Sequence, residues 1–379
     1  MTGRRRSRSR IAATLTASLL VVSCGSRSGD SVPQSGEDRA LASSVVGDPA
    51  GEEGQAGSTD APDELTFTDF ASLGPVYPLT GRPLSADDTA WEARPALVVK
   101  IDNHPRARPQ TGLEMADIVF DVRAEGVTRF AAVYHSTVPD PVGPVRSSRT
   151  SDFDILRGFE RPLYASSGGN DYVARKLRTL PIVELTNLTR TEYFRDFSRP
   201  APHNLYVNAS DLYQLAPDDS TAPNPWFVYR RADESLSPLA IEMKGPVTID
   251  YTGSPTVTHT WDGTRQGWLR TQDDNPHTTA NGDQLAPENV VIMVTEYGVS
   301  PADAISPEVR SIGSGPLLVL SDGQAVAGRW ERAAAADKPT LTDADGNNIA
   351  LNPGRTWVLM PEQGQVRFPA GSTPPGWNG

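Results

Sequence analysis

The sequence predicts an α+β chain, in which an N-terminal α/β domain over residues 75–232 is followed by a β-rich, sandwich or barrel-like domain over residues 233–371. The first region alternates apolar runs typical of strands with stretches of helical spacing. The second carries short runs with period-two alternation, separated by turn pairs such as Asp322-Gly323 and Asp345-Gly346. About 310 residues remain after the N-terminal segments, a length that favours two domains over one.

Residues 1–23 have the features of a secretory signal peptide. Five arginines precede an apolar stretch of about twelve residues, too short to cross a bilayer as a helix. The stretch ends in Val21-Val22-Ser23-Cys24, which resembles a bacterial lipobox, so cleavage would leave Cys24 as the lipidated N-terminus. The alternative is an ordinary signal peptide followed by an incidental cysteine. We expect a protein attached through Cys24 to the extracytoplasmic face of the plasma membrane.

Composition excludes several classes of partner and site. Cys24 is the only cysteine, so structural disulfides and cysteine-based metal sites are absent. Without the leader arginines the chain has 30 Lys and Arg against 47 Asp and Glu, a formal charge of −17. Such a surface argues against nucleic acid as a partner. Residues 24–65 are rich in Gly, Ser, Asp, Glu, Ala and Pro, which predicts a disordered, lipid-anchored tether.

Strands and helices follow from local patterns. In the first domain we expect strands at 96–101, 117–122, 128–134 and 162–165, and helices at 153–159 and 171–180. In the second domain we expect strands at 247–251, 256–261, 267–270, 290–294, 316–320, 324–330 and 356–360. Whether the first sheet is parallel or mixed stays open.

The densest polar cluster follows the first strand, in Asp102-Asn-His-Pro-Arg-Ala-Arg-Pro-Gln110. Its prolines stiffen a loop that carries four ionisable side chains, and ligands of open α/β sheets bind beyond the carboxyl ends of strands. A structural role is the alternative, with Asp102 capping a turn and Arg106 pairing with a nearby aspartate. The candidate residues in this loop are Asp102, His104, Arg106 and Arg108.

Two further loops carry candidate residues. In Gly143-Pro-Val-Arg-Ser-Ser-Arg-Thr150, the guanidinium groups of Arg146 and Arg149, with the hydroxyl of Ser147, suit a phosphate or carboxylate. Ion pairs with nearby acidic residues are the alternative for both arginines. The second loop, Arg199-Pro-Ala-Pro-His-Asn-Leu-Tyr206, offers His203 and Asn204 in a proline-stiffened context, where a backbone hydrogen bond is the plainer explanation of the histidine.

These loops could assemble an acid–base pair, with His104 or His203 acting beside Asp102 or Glu125. An anion clamp would then come from Arg129, Arg146 and Arg149. No linear metal signature is present, and we expect neither a metal nor another cofactor. His277 is a candidate for a shallow site in the second domain.

At these motifs the chain resembles the YerB-like lipoproteins, a family whose two halves are catalogued as domains of unknown function (DUF3048). The resemblance spans about residues 75–365. One departure is Thr279, where the family tends to carry an acidic residue two positions after the histidine that matches His277. The resemblance implies two domains in this order and a membrane-attached lipoprotein, and it implies no activity or substrate. The matching segments are 102–112, 116–119, 125–130, 143–149, 202–206, 276–277, 284–285, 289–290, 313–315 and 351–357.

Three functions fit the sequence. The first is a binding module that holds an anionic envelope ligand in a cleft lined by the Asp102–Arg108 and Arg146–Arg149 loops. The second is an envelope hydrolase or transferase acting on a glycan or phosphodiester, with a histidine as acid–base group. The third is an interaction scaffold for cell-wall machinery. If the acidic and histidine side chains meet in one cavity, the enzyme hypothesis gains support.

Overall fold

The computed structural model describes residues 75–186, 190–231 and 233–379. The predicted signal peptide, Cys24 and the tether lie outside the described residues. These described residues belong to one compact unit. Within its described part, no helix is both long enough and apolar enough to span a bilayer.

Strands dominate the described chain. The helices are α1 (Asp152–Arg157), α2 (Asp171–Leu177) and α3 (Ala209–Tyr213), with 3-10 turns at Trp91–Ala93, Pro105–Ala107 and Leu113–Met115. The strands are β1 (Leu97–Asp102), β2 (Ile118–Arg123), β3 (Thr128–Tyr134), β4 (Leu163–Ser166), β5 (Val183–Thr186), β6 (Tyr193–Arg195), β7 (Leu205–Val207), β8 (Ile241–Glu242), β9 (Val247–Asp250), β10 (Thr256–Asp262), β11 (Gly267–Gln272), β12 (Asn275–Pro276), β13 (Asn289–Met293), β14 (Tyr297–Val299), β15 (Pro307–Val309), β16 (Gly313–Ser321), β17 (Gln324–Arg332), β18 (Thr340–Asp343), β19 (Thr356–Leu359) and β20 (Val366–Arg367).

An eleven-stranded sheet forms the centre of the molecule. Its order is β18-β17-β16-β13-β19-β2-β3-β1-β4-β5, and β8 also pairs with β17. The strands β1, β2 and β3 are buried along nearly their whole length, which explains their continuous apolar runs. Along β1, Leu97, Val99 and Ile101 point to one face and Val98 to the other.

A different layer covers each face of this sheet. On one face lie a five-stranded sheet of order β12-β11-β10-β9-β20 and helix α3, which contribute side chains such as Trp268 and Leu212 to one core. On the other face lie α1 and α2, which contribute Ile155 and Val173 to a second core. The molecule is therefore layered, with the central sheet in the middle.

The predicted N-terminal α/β domain is corrected by this structure. Its helices have only five to seven residues, and β3 pairs antiparallel with both β1 and β2. A tight turn that contains Gly126 joins β2 to β3, where an α/β unit would need a crossover helix. Among the described strands of this first region, the pairs that run parallel to each other are β1 with β4 and β4 with β5. The β-rich character of the second half is confirmed.

The central sheet crosses the predicted domain boundary at residues 232/233. Strand β19 pairs in parallel with β2, with Thr356 opposite Ile118, and also in parallel with β13. The two halves of the sequence therefore contribute hydrogen-bonded neighbours to one sheet.

Candidate functional site

The loop after β1 is held in place by its neighbours. The side-chain amide of Gln110 donates to the carbonyl oxygen of Asp102 at 3.0 Å, which closes the loop on itself. The guanidinium of Arg199 donates to the carbonyl oxygens of Ala107 and Pro109 at 2.8 and 2.9 Å. The loop that carries His203 is thus fixed against the loop that carries Asp102.

Asp102 and His203 form a buried pair. Nδ1 of His203 lies 2.7 Å from Oδ2 of Asp102, and both side chains are nearly inaccessible to solvent. Oδ1 of Asp102 accepts the backbone N–H of His104 at 2.9 Å. With Nδ1–H donating to the carboxylate, the neutral ring of His203 keeps its lone pair at Nε2, the arrangement that prepares a histidine as a proton acceptor. Within the described chain, Nε2 makes no hydrogen bond.

His104 stacks on His203. The two rings are 4.3 Å apart between centroids and 14° from parallel. Nδ1 of His104 accepts the backbone N–H of Arg106 at 3.1 Å, so the neutral ring carries its proton on Nε2. Burial and the nearby imidazole of His203 lower the pKa of His104 below its ordinary value, which favours this neutral form.

Arg146 lies on the same carboxylate as His203. Its Nε is 3.3 Å from Oδ2 of Asp102, and its side chain stays partly exposed to the cavity. Its terminal amino groups make no hydrogen bond to any described residue. These groups are therefore available to an anion.

Glu125 occupies the opposite part of the cavity and binds two arginines. Its carboxylate accepts Nε and Nη2 of Arg149 at 2.5 and 2.9 Å, Nη2 of Arg129 at 3.1 Å, and the hydroxyl of Ser306 at 2.6 Å. Burial opposes ionisation, but the hydrogen bonds of Arg149 and Ser306 and the charge of Arg129 outweigh it and hold the pKa of Glu125 at about 2. Glu125 is thus a fixed anion at neutral pH, better suited to positioning arginines than to exchanging protons.

Arg129 is less exposed than Arg149. Its Nη1 donates to the carbonyl oxygen of Ser147 at 3.1 Å, while its Nε is buried and has no partner in the described chain. Of the three arginines predicted as an anion clamp, Arg149 and Arg129 are already engaged with Glu125, and Arg146 has the free donors.

A ribbon from the second half closes the cavity. Strands β14 and β15 form a two-stranded antiparallel sheet, and their connection brings Asp303, Ile305 and Ser306 to the cavity wall. The cavity has a volume of about 390 Å³. Sequence reasoning missed this ribbon, because it follows the Glu125 loop by about 180 residues and carries no local motif. The side chains that line the cavity are those of Asp102, His104, Glu125, Val127, Arg129, Arg146, Arg149, His203, Asp303, Ile305 and Ser306.

Four predicted site residues lie outside this lining. Arg106 is exposed on its 3-10 turn. The guanidinium of Arg108 lies near the charges of Asp273 and Arg270. The hydroxyl of Ser147 contacts that of Ser167 at 3.1 Å. The amide of Asn204 is used within its own ribbon, since it accepts from Arg195 at 2.8 Å and donates to the carbonyl oxygen of Arg199 at 3.2 Å.

A separate polar network lies between the central sheet and the five-stranded sheet. Nη2 of Arg270 lies 2.7 Å from Oδ2 of Asp121, and both side chains are fully buried. Nη1 of Arg270 contacts Nδ1 of His277, whose Nε2 lies 2.9 Å from Oε1 of Gln110. Burial and the charge of Arg270 lower the pKa of His277 well below its ordinary value. His277 is therefore a buried structural histidine, and the hypothesis of a shallow site around it is wrong.

Metal-ligand clusters are not found in the described part of the chain: no three His, Cys, Asp or Glu side chains are placed to hold one ion.

Family models match both halves of the sequence. The N-terminal domain model of the DUF3048 proteins of unknown function matches residues 79–222, and the C-terminal domain model matches residues 247–358. The chain belongs to the DUF3048 family. Both matched segments of the chain contribute strands to the eleven-stranded central sheet.

A curated relative and a solved structure extend this result. The chain is 29% identical over 300 residues to a Bacillus subtilis (strain 168) protein named "Putative lipoprotein YerB", covering 75% of this chain and 86% of the relative. The crystal structure of the YerB protein from Bacillus subtilis superposes with a TM-score of 0.65 at 23% identity, covering 76% of this chain and 96% of that one. The superposition establishes a common fold.

Proposed function

We propose that this DUF3048 protein binds an anionic ligand of the cell envelope in the cavity between the Asp102 loop and the β14–β15 ribbon. The observation that supports it is the state of Arg146. Its guanidinium is held by one contact to Asp102, and its terminal amino groups face the cavity without a partner in the described chain. A phosphate or carboxylate oxygen placed there would complete the hydrogen bonds of this arginine.

The surrounding charges favour an anion at this point over a cation. Glu125 is neutralised by two arginines, and the charge of Asp102 is shared between Arg146 and His203. Two of the three acidic groups in the lining are thus paired with cationic side chains, and the third, Asp303, accepts hydrogen bonds from the backbone N–H and the hydroxyl of Ser306, whereas the terminal amino groups of Arg146 have no partner in the described chain.

Binding of glycerol phosphate to the full-length chain, with Cys24→Ala to remove the acyl group, tests this proposal by calorimetry. Arg146→Ala should weaken the affinity by about tenfold or more, the worth of one or two charge-assisted hydrogen bonds. Arg106→Ala is the matched control, because this arginine is exposed and outside the cavity. Equal affinities of Arg146→Ala and Arg106→Ala for glycerol phosphate would contradict the proposal that the anion binds at Arg146.

The pairing of Asp102 with His203 favours a second candidate, an envelope hydrolase or transferase. Nε2 of His203 would accept a proton from an attacking water or hydroxyl, and Asp102 would stabilise the imidazolium that forms. The imidazolium of His203 would then return that proton from Nε2 to the leaving group, while His104, which stacks on this ring, would hold it in position. Arg146 would stabilise the negative charge that develops on the substrate.

Turnover of bis(p-nitrophenyl) phosphate, a phosphodiester, measures this activity. His203→Gln and Asp102→Asn should each lower kcat by about 10² to 10⁴, the range of general acid–base catalysis, while glycerol phosphate still binds. Turnover that persists in His203→Gln would contradict the enzyme hypothesis and leave the binding proposal in place.

We also propose that the protein lies on the outer face of the plasma membrane, where a lipid on Cys24 anchors it. It is supported by the lipobox-like segment that ends at Cys24 and by the name of the Bacillus subtilis relative. A disordered tether of the kind predicted from the composition of residues 24–65 would allow the cavity to reach ligands at or above the membrane surface.

A further inference from the structure

We infer that the ligand of this cavity is amphiphilic, with an anionic headgroup beside Arg146 and an apolar chain in contact with Phe197, Val299 and Ile305. This inference rests on the proposed binding function and adds the chemical class of the ligand.

Large apolar side chains that are strongly exposed are confined to two places in the described chain. Phe197 is 88% exposed, Ile305 80% and Val299 70%, and the next most exposed large apolar side chain, Phe194, reaches only 42%. Single exposed apolar residues are ordinary on a protein surface. Here all three belong to the two ribbons that border one cavity.

Ile305 belongs to the cavity itself. It lines the cavity together with Arg146 and His104, so apolar and charged surfaces are continuous there. The ribbon that carries Ile305 and Val299 is attached to the body of the protein. The hydroxyl of Thr150 donates to that of Ser300 at 3.0 Å, and the amide of Asn170 donates to the carbonyl oxygen of Ala302 at 3.2 Å.

Phe197 lies on the loop that supplies His203. The backbone N–H of Asp196 donates to the carbonyl oxygen of Asn204 at 2.9 Å, so Phe197 begins the loop that His203 and Asn204 end. The ring of Phe197 is nevertheless almost fully exposed, while the neighbouring Phe194 stacks on Tyr206 with centroids 5.9 Å apart. The loop is thus anchored by Phe194, and Phe197 is left for a contact outside the fold.

This arrangement fits a small amphiphile better than a protein partner. A protein interface would favour one contiguous apolar patch, whereas these side chains lie on two separate ribbons, which contribute His203 and Ile305 to the lining of the charged cavity. A headgroup of a few heavy atoms fits a cavity of about 390 Å³, and its chain would leave over Ile305. A wholly polar ligand would leave the three apolar side chains in water.

Calorimetry with two probes separates headgroup from chain: ethyl phosphate and octyl phosphate, the latter below its micelle concentration, on the full-length chain with Cys24→Ala. The two probes share a phosphate and differ by six methylene groups. We expect octyl phosphate to bind at least about tenfold more tightly, because part of its chain leaves water. Phe197→Ser and Val299→Ser, at exposed residues outside the cavity lining, should each reduce this preference by about threefold or more, without changing the affinity for ethyl phosphate.

Ile312→Ser is the matched control, since Ile312 is 39% exposed but lines a different cavity. Equal affinities for the two phosphates, or a preference that survives both ribbon substitutions, would overturn the inference while Arg146-dependent binding of ethyl phosphate keeps the proposed function. Failure of ethyl phosphate to bind, or binding that does not depend on Arg146, would overturn the proposed function and this inference with it. Because the substituted side chains are exposed, circular dichroism should show an unchanged fold in all three variants.

Discussion

Removing one partner of the buried ion pair between Asp121 and Arg270 should cost several kcal/mol of stability. Arg270→Met keeps most of the side-chain volume and removes the charge. Oδ2 of Asp121 then loses its partner at 2.7 Å, while Oδ1 already has none in the described chain. Removing one member of a fully buried pair costs about 3–5 kcal/mol of unfolding free energy, because an uncompensated charge stays in the interior.

Other contacts of Arg270 place the expected loss in the upper part of that range. Its Nη1 donates to Oε1 of Gln272 at 2.9 Å, and its guanidinium carbon lies 4.8 Å from the ring centroid of Trp357. Arg270 belongs to the five-stranded sheet and Trp357 to the central sheet. The variant therefore loses contacts that join the two layers.

Denaturation in guanidinium chloride, followed by tryptophan fluorescence at pH 7.5, measures the change. The double variant Asp121→Leu with Arg270→Met should lose less than the sum of the single variants, by about 2 kcal/mol or more, since no charge is left unpaired. Arg367→Met is the matched control. It breaks a pair with Asp250 at 2.6 Å whose side chains are 63% and 36% exposed, and should cost at most about 1 kcal/mol. A loss for Arg270→Met no larger than that of the control would refute the reasoning.

Two further predictions concern acid stability and membrane attachment. Burial and the charge of Arg270 lower the pKa of His259 to about 3, so the unfolded chain binds a proton below about pH 6.5 that the folded chain does not. Its contribution to stability is fully present above that pH and decreases by up to about 1.4 kcal/mol per unit as the pH falls towards 3. His259→Phe should therefore lose less stability than the parent chain between pH 7 and pH 4.5 in urea denaturation, and equal losses would contradict this. Cys24→Ala should abolish incorporation of labelled palmitate and move the chain from the membrane fraction to the soluble fraction; a variant that stays membrane-bound would exclude the lipid anchor.

Local patterns predicted the individual elements well. The apolar runs near Leu97, Ile118 and Thr128 are strands, and the helical spacing after Ser151 gives α1. These strands were predictable from the sequence because both of their faces are buried. Every side chain along them therefore had to be apolar or to have a buried hydrogen-bond or ion-pair partner. The same apolar runs also led to the prediction of an α/β domain, because a buried strand has the same apolar sequence pattern in a parallel sheet as in a mixed sheet.

The candidate site was predictable only in part. Asp102, His104, Arg146 and His203 lie in stiff loops with dense polar side chains, and the structure brings them to one cavity. Ser306 could not be found in this way, because its contact with Glu125 joins positions about 180 residues apart and depends on the sheet pairing. Contacts of this kind have no local signature.

The pairing of β19 with β2 governs the order in which this protein can mature. Thr356 lies 238 residues after the Ile118 that it pairs with, so this edge of β2 stays open until β19 has been made. A folding intermediate that ends before β13 presents unpaired strand edges, which are sites of aggregation. The central sheet can therefore be completed only after β19 has been made and has paired with β2.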